Sequence, residues 1–158
     1  MFGFSPENRF MNPDHRDILD EFCAAQVRFL LVGAYALATH GLVRATGDID
    51  LWVECGTENA HRIMQALSRF GAPMDTVEEA DFYEPGIVFQ MGLPPHRIDI
   101  ITKIDGVVFA EAWESRVPAM VEGLTIFTLS RQHLLRNKES TGRAKDSADA
   151  AWLRQNMG

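Results

Sequence analysis

The strongest constraint on this chain is an alternation of two periodicities. Short apolar runs recur along it, marked off by glycine or turn residues, and the segments between several of them repeat their apolar residues at helical spacing. Residues 28–32 (RFLLV) stop at Gly33, residues 48–53 (DIDLWV) stop near Gly56, and residues 123–129 (GLTIFTL) open on a glycine. Residues 87–91 and 97–102 flank the turn Gly92-Leu93-Pro94-Pro95. Runs of this length bounded by turn signals read as strands. Segments 13–25, 34–40 and 57–70 read as helices. The first carries Ile18, Leu19, Phe22 and Cys23 on one face, and the third Ile63, Met64, Leu67 and Phe70. Residues 71–85 read as acidic and irregular, and 107–121 as part strand and part helix. A long helical stretch is expected from Ser130 to about residue 155. Strands alternating with helices place the chain in the α/β (α+β) class: a mixed central β-sheet flanked by helices, with a C-terminal helical segment. At 158 residues one domain is expected over 1–158, with 1–12 as an N-terminal extension and 130–155 as the helical segment.

Hydrophobic residues at 46% and charged residues at 23% supply a core that needs neither disulfide nor structural metal. Cys23 and Cys55 form no C-x-x-C and read as two buried thiols in a reducing compartment. The five histidines lack metal-ligand spacing, which argues against zinc. With no cationic-then-apolar leader and no apolar run of about 18–20 residues, the expectation is a soluble, cytoplasmic protein with no membrane partner. Trp52, Trp113 and Trp152 read as core residues rather than base-stacking platforms. The net charge of −7 and pI near 5.2 argue against duplex DNA as a partner. Residues 131–154 run the other way, with six bases against three acids, and suit an anionic ligand held locally.

Three features carry chemistry. Gly33 sits where a buried strand meets a helix, a junction that offers backbone N–H groups to phosphate. In Asp48-Ile49-Asp50-Leu51 the two carboxylates are two apart on a strand, so they share a face and repel unless a cation lies between them. Asp99 is a lone acid in an apolar strand and must find a partner. Arg97, on the same face, is one candidate. The other is the Asp48/Asp50 pair, completing three carboxylates that suit a hard cation, Mg²⁺ or Mn²⁺, bound with substrate phosphates.

Residues 33–53 (GAYALATHGLVRATGDIDLWV) resemble the signature of the DNA polymerase beta-like nucleotidyltransferase superfamily, a Gly-Gly or Gly-Ser turn followed by D-x-D or D-x-E. The short single-domain bacterial members are the most similar, among them minimal, abortive-infection toxin and small aminoglycoside nucleotidyltransferases. Arg44-x-Thr46-x-Asp48-x-Asp50 is the most specific part, and residues 138–153 (KESTGRAKDSADAAWL) resemble the C-terminal helix of such proteins. The resemblance implies transfer of a nucleoside monophosphate from an NTP, ATP foremost, to a hydroxyl acceptor on a small molecule, a protein or RNA. It implies two Mg²⁺ or Mn²⁺ ions on Asp48, Asp50 and Asp99, with Asp99 as general base. Gly33, Ala34, Arg44 and Thr46 would bind nucleotide, together with Lys138 first and then Arg143 and Lys145, which are equally suited to structural ion pairs with Asp146 or Asp149. Ala34 departs from the family's Gly or Ser. An alternative is therefore a weakly active or non-catalytic interaction module, such as a toxin–antitoxin component whose partner is an antitoxin protein.

Overall fold

The structure, a computed structural model, describes residues 11–43 and 47–157. Its helices are α1 (Pro13–Ala24), α2 (Gly33–Thr39), α3 (Thr57–Phe70), α4 (Phe109–Glu114), α5 (Arg131–Ser140) and α6 (Ala144–Gln155). Its strands are β1 (Phe29–Val32), β2 (Ile49–Val53), β3 (Val88–Met91), β4 (Ile98–Ile101), β5 (Val117–Val121) and β6 (Leu124–Thr128). The strands form one mixed sheet in the order β3-β4-β2-β1-β6-β5. β2 runs antiparallel to β1 and parallel to β4, and β1 is parallel to β6. The two edges, β3 and β5, close as antiparallel pairs with β4 and β6.

The pleat decides which residues form each core. Ile49, Leu51 and Val53 of β2 and Ile98 and Ile100 of β4 point to one face, where they meet Ile18, Leu19 and Phe22 of α1 and Ile63 and Leu67 of α3. The alternate residues, Leu30 and Val32 of β1 and Trp52 of β2, point to the other face. There they pack with Leu37 of α2, Ala112 of α4, Leu134 of α5 and Leu153 of α6. Asp50 and Asp99 belong to that second set by alternation, so the sheet presents its carboxylates on the face covered by α2, α5 and α6. Local signals fix the helix ends. Asn12 caps α1 by accepting N–H bonds from Asp14 and His15 at 2.8 and 3.4 Å.

Four expectations change. The long C-terminal helix is two helices, because Gly142 takes φ +72° and turns the chain back between α5 and α6. The irregular stretch 71–85 contains two short 3₁₀ turns, Met74–Thr76 and Glu79–Phe82, the second burying Phe82. Both cysteines are half-buried rather than buried. Trp52 is core as expected, whereas Trp113 and Trp152 are half-buried; Trp113 is stacked on Phe109 and covered by the Arg116 guanidinium at 4.1 Å from its ring centre. Among the described residues no helix is long and apolar enough to cross a membrane.

Candidate active site

A cleft of about 770 Å³ opens on the second face of the sheet, large enough for a nucleotide. Its floor is the ladder itself. Val32 is the register partner of Asp50, and Asp50 is the partner of Asp99 on the parallel strand β4. Backbone hydrogen bonding across three adjacent strands therefore brings the turn at Gly33 and the two carboxylates side by side. Asp48, one residue before β2, also lines the cleft.

The acids are not equivalent. Asp48 accepts the backbone N–H of Arg97 at 2.8 Å, while the Arg97 carbonyl accepts the N–H of Ile49 at 2.9 Å. The Arg97 guanidinium forks onto Asp99, Nε to Oδ1 at 2.8 Å and Nη2 to Oδ2 at 3.1 Å, and its Nη2 lies 3.9 Å from Asp48 Oδ2. Both partners anticipated for Asp99 are thus present: Arg97 holds it, and the Asp50 carboxyl is within hydrogen-bonding reach of it. Asp50 itself has its pKa pushed up to about 7. Burial is the main cause, followed by the charge of Asp99, the hydrogen bond with it and the charge of Asp48; only Arg97 opposes.

Gly33 is required where it stands. It has φ +70°, and a Cβ there would lie 2.2 Å from Asp50 Oδ2, so the carboxylate is pressed against the backbone of the turn. Gly33→Ala combines a left-handed backbone, costing about 1–2 kcal/mol for an L-residue, with a collision at Asp50. We expect a lower melting temperature by circular dichroism and at least a roughly tenfold weaker nucleotide affinity by calorimetry. An alanine variant that melts and binds like wild type would show that the turn and Asp50 are not in contact. Helix α2 has seven residues and no side-chain cap at Val32.

The far wall is the α5–α6 pair. Lys138 is nine-tenths buried, and its ammonium lies 3.1 Å from Asp146 and 3.5 Å from Asp149. Asp146 is fully buried and accepts from Lys138, from Thr141 at 2.7 Å and from Arg143 Nε at 2.7 Å. Burial alone would raise the Asp146 pKa, but those hydrogen bonds and the Lys138 charge outweigh it and hold the group below the usual carboxylate range. The cation expected first to meet phosphate is therefore turned to two aspartates. Arg143 keeps a mostly exposed guanidinium, and Lys145 is exposed; both line the cleft. Arg44 and Thr46 lie outside the described residues.

Several lining residues carry no motif in the sequence. Lys103 follows β4 and is exposed at the cleft, and Val88 at the start of β3 and Ile87 before it form an exposed apolar rim. His15 of α1 is fully buried, with Nε2 donating to the His96 carbonyl at 3.1 Å and Nδ1 3.3 Å from the Tyr35 hydroxyl. It ties α1 and α2 to the residue before Arg97. In the sequence that link shows only as a histidine on the apolar face of an amphipathic helix, beside Ile18, Leu19 and Phe22.

A divalent cation can be tested against these donors. Among the described residues no group of three carboxylate, imidazole or thiol side chains is arranged to hold a metal ion by itself. Asp48 and Asp50 nevertheless fit one hard cation, because Asp50 is a half-buried carboxyl beside two other acids and, among the described residues, is held in no ion pair. Mg²⁺ bound by one or two carboxylates plus substrate phosphates is a normal arrangement.

Comparison with solved structures supplies the fold. A crystal structure of a Thermotoga maritima protein proposed to be a nucleotidyltransferase superposes with a TM-score of 0.57 over 89% of this chain and 91% of that one, at 15% identity. The chain has a nucleotidyltransferase-like fold. No family model matches the sequence, and no curated protein matches it. On the nucleotidyltransferase-like fold, Asp50 and Asp99 lie on adjacent parallel strands and Gly33 on the turn beside them.

Proposed function

We propose that this chain is a metal-dependent nucleotidyltransferase that moves a nucleoside monophosphate from an NTP, ATP foremost, to a hydroxyl acceptor. The acceptor oxygen bonds to the α-phosphorus, the bond from that phosphorus to the bridging oxygen breaks, and pyrophosphate leaves. Asp99, whose oxygens keep lone pairs beyond those used by Arg97, takes the hydroxyl proton. Gly33 and Ala34 bind the triphosphate through backbone N–H groups, with Arg44 and Thr46 assigned by the resemblance alone. Arg143, Lys145 and Lys103 face the phosphates, and Lys138 sets the position of α6 through Asp146. Mg²⁺ or Mn²⁺ on Asp48 and Asp50 would lower the pKa of the attacking hydroxyl and offset charge developing at phosphorus.

The observation carrying this reading is the convergence of Asp48, Asp50 and Asp99 with the Gly33 turn in one cleft, opposite exposed cations. Titration calorimetry with ATP is the test. Binding in the presence of Mg²⁺ that disappears with a chelator is the expected result, and absence of metal-dependent nucleotide binding overturns it. Two features favour a second reading, a partner-binding module of this fold such as the toxin half of a toxin–antitoxin pair. Ala34 lacks a hydroxyl for phosphate, and Arg97 holds Asp99. A loss of about 1–2 kcal/mol for one missing hydrogen bond weakens nucleotide binding without abolishing it, which is why the enzymatic reading leads.

A further inference from the structure

The place between Asp48 and Asp99 is already taken by a cation, the Arg97 guanidinium. It makes a two-point fork to Asp99, whose side chain is 9% exposed, and its Nη2 is 3.9 Å from Asp48. Such forks are among the strongest side-chain pairs and match both oxygens at once. This one is also fixed at its root. The Arg97 N–H is bonded to Asp48 and its carbonyl to Ile49, so the backbone of the arginine is bonded to the strand that bears the other two acids. The preceding residue is held in turn by buried His15. Gly47 packs so closely on Pro95 that a Cβ would meet its carbonyl oxygen at 1.7 Å, which leaves the loop before Arg97 no room to move toward β2.

A metal ion bridging Asp48 and Asp99 would need the oxygens that Arg97 occupies, and expelling the arginine would break two charge-assisted hydrogen bonds. Asp50 is the acid outside the fork, and it projects between Gly33 and Asp99. Building on the nucleotidyl-transfer reading, we infer that Arg97 serves as a built-in cation in place of one metal, so that the site binds a single divalent ion, on Asp48 and Asp50. Arg97 is then a positioning residue: it holds Asp99 and balances its charge.

Counting ions tests this independently of turnover. Crystals soaked with Mn²⁺ and tripolyphosphate, a base-independent probe, are read by anomalous scattering, and bound Mn²⁺ in solution is counted by electron paramagnetic resonance. Wild type is expected to show one ion on Asp48 and Asp50. Arg97→Gln is expected to admit a second ion contacting Asp99, with at least a tenfold gain in affinity at that position, and Arg97→Lys is expected to keep one. Two ions in the wild type, one of them on Asp99, would overturn the inference whether or not the glutamine variant folds. One ion in both wild type and Arg97→Gln overturns the part assigned to Arg97 and leaves the nucleotidyl-transfer reading standing. No ion in either protein removes both.

Discussion

Asp50→Asn is expected to abolish nucleotide transfer and, in the same protein without metal, to raise its thermal stability. The first effect follows from removing a charged donor to the cation, which we place at roughly a thousandfold or more, about 4 kcal/mol of transition-state stabilisation. The second follows from the folded-state pKa of about 7 against 3.8 for an ordinary aspartate. Between those values the unfolded chain releases a proton that the folded chain retains, so folding stability falls as pH rises through that window and is level above it. The shift sets a ceiling of about 4 kcal/mol at pH 8, and partial exposure of Asp50 brings the expected gain for asparagine to about 1–3 kcal/mol. In a chain of this size that is roughly 5 °C in melting temperature. Differential scanning calorimetry in chelator should show the variant above wild type at pH 8 and level with it near pH 4. A variant that melts below wild type at pH 8 would mean that Asp50 is not under electrostatic strain.

Asp146→Ala should be the most destabilising single change on the cleft wall. Asp146 is fully buried and takes hydrogen bonds from Lys138, Thr141 and Arg143. Removing it strands part of the charge on the buried Lys138 ammonium, and breaking a buried pair typically costs about 3–5 kcal/mol. The retained Asp149 contact at 3.5 Å places the expectation at the lower end, about 3 kcal/mol and roughly 10 °C. Because the Asp146 pKa is lowered in the folded state, its contribution is fully present above 3.8 and is lost as pH falls through the folded-state value. The gap between variant and wild type should therefore narrow in strong acid. Denaturant melts at pH 7 and at pH 2.5 measure both, and an equal gap at the two pH values would exclude the ionic origin.

The pleat made the site partly readable in advance. Asp48-Ile49-Asp50 and Arg97-Ile98-Asp99 alternate within apolar strands, and alternation forces Asp50 and Asp99 to one face of the sheet. What the residues do not encode locally is that β4 lies beside β2. The chain reaches β4 through α3 and the edge strand β3, and strand order is settled by global packing. The basic tail misleads for a related reason. Its surplus of bases is plain in the composition, yet Lys138 meets Asp146 and Asp149 only because Gly142 folds α6 back along α5. The link from His15 through His96 to Arg97 spans 81 positions in its first step and has no periodic signature at all.

The sheet order has a consequence for how this molecule can diversify. Gly33, Asp50 and Asp99 are locked together by hydrogen bonds among three adjacent strands, two of them central, and a one-residue slip would carry each carboxylate into the apolar layer on the opposite side. Val88, by contrast, stands on β3, the edge strand among the described residues, with Ile87 just before it, at the same cleft. The carboxylates of the proposed active site and the apolar rim of the cleft are thus carried on separable parts of the scaffold. Under the proposed function, substitutions along that rim would change which acceptor is taken while leaving the carboxylates in place.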